Sequence, residues 1–198
     1  MSKTMDLVHG VEDRTHVRVT DPTRARWKVA LFLAFVTGVI GAIVKFGWEV
    51  PFPPRTPERN ETNPPQAMLE QFGFSSEFVH KTVTFNGNEL PIVSFILHFG
   101  FSIVFGGIVY CLLAERYPQI KLWQGVAYGL FIWILWHWIL LPAIGACPWP
   151  WDCPWEEHFS EGTGHAAWMW VIELCRRDLR NRITHEPDAE VALDAPFR

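Results

Sequence analysis

Four stretches of this chain are almost free of charge, and the charges crowd between them. They run over about 27–48, 91–114, 122–144 and 160–178. A helix needs about 20 mostly apolar residues to cross a bilayer. The first three stretches meet that requirement. The fourth meets it by starting near Phe159 and continuing past Arg176 as a helix emerging into water. The pattern predicts an all-α, polytopic membrane protein with four transmembrane helices. The transmembrane domain spans 27–176, an arm of 1–26 precedes it, and a tail of 177–198 follows. Loops of 50–90 and 145–160 separate the first and last span pairs. The first stretch reads as a retained span, because a long arm precedes it and "VKFGWEVPF" lacks a small-residue cleavage site.

Charge orients the spans. Residues 1–28 hold six Lys/Arg, the turn "AERYPQIKLW" holds Arg116 and Lys121, and the tail holds Arg176, Arg177, Arg180 and Arg182. The segment "ACPWPWDCPWEEHFSEG" holds none. Positive-inside counting therefore puts both termini in the cytoplasm and both long loops outside. Trp27, Trp48, Trp123, Trp149, Trp151 and Trp155 fall near span ends, where amphipathic rings favour the interface. In the first loop, "QAMLEQFGFSSEFVHK" places Met68, Leu69, Phe72 and Val79 on one helical face. Asn86-Gly87 is a two-residue turn signal.

Depth follows from a rise of about 1.5 Å per residue. Lys45 lies roughly 25 Å along the first span, near its outer end, with Glu49 just beyond. His98 and His137 fall in the outer halves of the second and third spans, and His165 starts the fourth. Each span thus contributes an ionisable group to one layer. Such groups inside spans are costly and face a bundle interior or a water-filled cavity. Histidine suits a pH-responsive layer because its unperturbed pKa is about 6.5. The bland alternatives are a snorkelling Lys45 and neutral, hydrogen-bonded histidines. Glu173, Arg176 and Arg177 form a second polar candidate at the inner side.

Cys147 and Cys153 flank "PWPWD" in the second outer loop, where a disulfide suits an oxidising compartment. Glu157, His158, Glu161 and His165 offer metal-ligand chemistry but match no metalloenzyme spacing. There is no phosphate-cradling loop, nucleophile elbow or Ser/His/Asp set, so no catalytic residue and no cofactor are expected. A net charge of −4 gives no basic signature for nucleic acid.

"KFGWEVPFPPR", "FSIVF", "AERYPQIKLWQG" and "RRDLRNRITHEPD" resemble, in order, the YagU-like family of small bacterial inner-membrane proteins. The resemblance covers about Arg26 to Pro187, and excludes the far N-terminal arm and the Cys147/Cys153 pair. It implies a multi-pass inner-membrane protein linked to acid resistance, with no settled catalytic residue. The leading expectation is a non-enzymatic protein of pH homeostasis, a proton-responsive conductance or sensor working through the outer histidines. The alternatives are an accessory subunit docking a partner or anionic lipid through its basic tail, and a periplasm-facing metal enzyme. Beyond the lipid bilayer, a second copy is an expected partner, because Gly100, Ser102, Gly106 and Gly107 allow close helix approach.

Overall fold

The apolar run after Arg26 forms one unbroken helix, α1 (Trp27–Glu49). It stops where Pro51, Pro53 and Pro54 withdraw backbone donors. The computed structural model describes residues 26–185 and Asp188. The arm before Arg26 and the rest of the tail lie outside the described residues.

The next charge-free runs form α3 (Ile92–Arg116) and α4 (Val126–Ala143). Together with α1 they are the three helices, among the described residues, long and apolar enough to cross a membrane. The fourth stretch lies inside a longer helix, α5 (Trp155–Thr184), of 30 residues. At about 1.5 Å per residue it is roughly 45 Å long. It runs antiparallel to α1. Glu161 near its start meets Lys45 near the end of α1. Arg180 near its end bonds Glu115, which also accepts from the Arg26 backbone N–H at the start of α1.

The loop after α1 differs in part from expectation. Its apolar face is broken into α2 (Pro64–Gln71) and a single turn, Ser76–Val79. Gly73, at φ +90°, separates them. Val79 is buried and Phe72 is 63% exposed, so the two do not share a face. Asn63 caps α2 with a reciprocal capping box to Gln66. The all-α expectation also needs one amendment. Asn86-Gly87 turns a hairpin of β1 (Thr82–Phe85) and β2 (Asn88–Pro91), with Phe85 opposite Asn88.

The core lies where α3, α4 and α5 meet, around Tyr110, Tyr128, Ile132, Trp168, Met169 and Ile172. Small residues let the helices close on it. A Cβ on Gly107 would land on the Ala34 carbonyl of α1, and one on Gly129 on the His165 carbonyl of α5. Polar side chains tie the helices at mid-height. Trp168 Nε1 donates to Ser102 Oγ at 2.7 Å, and Ser102 Oγ donates to the Gly38 carbonyl at 2.6 Å. The backbone of α3 widens to π-helical bonding over Ser102–Val109, and that of α4 over Ile134–Leu140. Such widenings free carbonyls for other donors. Phe105 in the first of them accepts from Tyr128 at 2.9 Å, tying α4 to α3.

A polar layer around Glu161

Glu161 is the hub of the polar layer. Glu157, Glu161 and His165 are spaced by one helical turn each, so α5 presents all three on one face. One oxygen of Glu161 accepts from Lys45 Nζ at 3.1 Å, and the other from Arg55 Nη1 at 3.1 Å. Lys45 also donates to Glu49 at 2.5 Å, so the pair of α1 does bond within its helix. His137 Nε2 and His165 Nδ1 each stand 3.8 Å from Glu161 Oε2. Their rings are 5.1 Å apart and nearly perpendicular. His165 Nδ1 lies 2.7 Å from the Glu161 carbonyl, which orients its ring. Arg59 bonds Glu157 at 2.5 Å, fastening the loop after α1 to the start of α5 a second time. Burial would lower the Arg55 guanidinium, but Glu161 foremost, together with Cys147 and Glu157, more than offsets it and holds Arg55 above its ordinary value.

The structure thus brings Lys45, Glu49, His137 and His165 together. His98 stands beside them and stacks on Phe46 with centroids 4.3 Å apart. All five line one cavity of about 750 Å³ with Arg55 and Glu161. Its other walls are mostly apolar, including Phe46 and Phe95, Phe101 and Trp136.

Comparison with known proteins gives the layer a family. The profile described as "Protein of unknown function (DUF1440)" matches residues 39–174. The chain belongs to the DUF1440 family. It is 40% identical over 196 residues to "Inner membrane protein YagU" of Escherichia coli (strain K12), covering 88% of this chain and 95% of that protein. No solved structure matches it. The DUF1440 match takes in the whole layer from Lys45 to His165 and ends at Leu174, short of Arg176.

At the opposite end of this DUF1440 chain lies a second buried network. Glu173 accepts from Arg176 at 2.6 and 2.9 Å and from Tyr110 at 3.0 Å. Arg180 bonds Glu115 at 2.6 and 3.2 Å. Asp188 folds back onto Arg176 and onto Lys121, the latter at 3.1 Å. Three cations therefore meet three carboxylates, and no charge in the set is left without its opposite. Burial would raise the Asp188 carboxyl, but Arg176 and then Lys121 more than offset it and hold it below its ordinary value. Of the inner-side candidates, Glu173 and Arg176 belong to this network. Lys121 and Arg180 were legible only as positive-inside charges, and their pairing with Glu115 and Asp188 was not, because only tertiary packing brings the four together.

One further expectation needs correction. The bridge between Cys147 and Cys153 is not formed, and all four cysteines are free thiols. Cys153 Sγ instead accepts from Arg59 Nη2 at 3.9 Å. Burial pushes the Cys147 thiol up to about 11 despite Arg55. No metal site was expected, and of the weak candidates for one Glu157 is bonded by Arg59, while His158 lies 2.8 Å from the Pro150 carbonyl. The ligand atoms that do converge, within 4.8 Å of one another, are those of His137, Glu161 and His165. Lys45 and Arg55 already hold that carboxylate, so a metal ion would enter beside two positive charges.

Proposed function

We propose that the chain is a multi-pass inner-membrane protein of pH homeostasis, and that the layer around Glu161 is its acid sensor. Its four helices cross the membrane, with both termini in the cytoplasm and the Glu161 layer at the outer side. The packing of α5 along the full height of α1 supports counting it as a span. The basic segments flanking the bundle support the orientation. Reporter fusions at each terminus test it, and a periplasmic C-terminus would remove the fourth span.

One observation carries the sensing reading: a single carboxylate is shared by two cations with two imidazoles waiting 3.8 Å away. Protonating His137 or His165 adds a competitor for Glu161. Lys45 is fixed on α1 and has Glu49 as a second partner. Arg55 sits on the loop, so it is the partner to yield. External acid would then loosen the loop from α5. The groups facing His137 are Glu161, His165 and Glu157 from α5, Lys45 from α1 and Arg55 from the loop. His98 faces the same cavity from α3.

A sensor is favoured over a conductance. The cavity stops at mid-height, where Trp168, Met169 and Ile172 are almost fully buried. The buried ion network closes the far end. The test is acid survival of cells carrying wild type or His137→Gln at matched expression. Loss of survival in the variant is expected; equal survival would mean that the histidines are structural.

A further inference from the structure

The cavity of about 750 Å³ is far larger than the polar layer needs, and most of it is not polar. Specific ligand pockets occupy roughly 300–1,000 Å³ and are lined mainly by apolar side chains with a few placed polar groups. This one has that composition. Ile96, Gly100 and Val104 of α3 face Trp136 and Leu141 of α4 across it. Ile96 is 64% exposed and Val104 is 43% exposed, so the cavity is open along α3. Both helices are apolar enough to span a membrane, so this opening gives onto hydrocarbon. A polar solute has no favourable route in from that side, whereas an acyl chain has.

The polar end narrows the choice of head group. Its charged lining is Lys45 and Arg55 against Glu49 and Glu161. Two positive and two negative charges complement a head group that carries one of each. An anionic head group would add a charge with no counterpart. Glu49 is the most open of these carboxylates, its side chain 25% exposed against 7% for Glu161. Asn60, Asn63 and Ser94 add hydrogen-bonding groups at the rim.

We propose that this cavity is a binding site for one membrane glycerophospholipid with a zwitterionic head group. An acyl chain lies between α3 and α4, the phosphate faces Arg55 and the ammonium faces Glu49. At neutral pH the site stands whether or not the histidines sense acid, since the apolar walls and the balance of Lys45 and Arg55 against Glu49 and Glu161 hold with the histidines uncharged. Its occupant would also cover the apolar face that the cavity leaves open between the two helices.

The test reconstitutes the full chain in vesicles of equal phosphatidylethanolamine and phosphatidylglycerol, extracts it in mild detergent, and measures retained lipid by native mass spectrometry. Expected is about one phosphatidylethanolamine per chain, with little phosphatidylglycerol. Gly100→Phe enters the cavity from a position where a Cβ meets nothing within 4 Å, and an unchanged thermal unfolding midpoint in detergent checks that the variant is folded. It should lose the retained lipid at least tenfold. Glu49→Gln should keep a lipid but lose the preference between the two head groups. Retention of both lipids in the vesicle ratio, unchanged in Gly100→Phe, would mean an ordinary lipid annulus and overturn the proposal. A lipid-free dimer that Gly100→Phe breaks would give the cavity to a second copy and overturn it equally.

Discussion

At the residue scale, Asp188 draws the chain past α5 back onto Arg176 and Lys121. Its carboxyl is held below its ordinary value, so it contributes stability above the unfolded pKa of about 3.9. That contribution is lost as pH falls through the lower folded value. Asp188→Asn should therefore weaken the anchor by about 1.5–3 kcal/mol at neutral pH. Hydrogen exchange in the last turn of α5 reads it. The variant at pH 7 should resemble wild type well below pH 4, and the two should converge there. Such a pairing was not legible in the sequence. Lys121 and Asp188 stand in separate polar segments, and only the fold brings them together. Glu161 was half legible. "EEHFSEG" has the composition of a solvated loop, which hid that it forms the first turns of α5. The spacing of Glu157, Glu161 and His165 was the available signal, and it reads as a helical face once the helix is started at Trp155.

At the element scale, the charge-free stretches were legible because hydrocarbon tolerates few ionised side chains. They therefore marked α1, α3 and α4 within a few residues. The fourth helix was harder, because its ends carry charges that pair inside the protein rather than with water. Apolar length alone misses such a helix. The close approach of α1 and α3 depends on Gly107, where any Cβ meets the Ala34 carbonyl. Backbone cannot step aside as a flexible side-chain end can. Gly107→Val should cost several kcal/mol, comparable to other overpacked cores. Gly47→Ala is the control, since nothing lies within 4 Å of its Cβ. Thermal unfolding in detergent should show a large loss for the first and little change for the second.

At the scale of the whole molecule, two buried ionic networks cap a bundle whose middle carries no ion pair among the described residues. The one where α1 begins and α5 ends is balanced and draws on α3, α5, the α3–α4 turn and Asp188. Buried ion pairs add little stability when intact, but breaking one is costly, so this network acts chiefly to specify the fold. The network around Glu161 is different, because two of its members can acquire charge and one partner, Arg55, is on a loop. Hydrogen exchange of residues 51–60 in lipid nanodiscs tests this most directly, compared between pH 7 and about pH 4 for wild type and a His137→Gln, His165→Gln double variant. Expected is a lower protection factor for that segment in acid for wild type, once the slower intrinsic exchange at pH 4 is divided out, and a much smaller change for the variant. An acid response of equal size in both, or none in wild type, would contradict sensing by this layer.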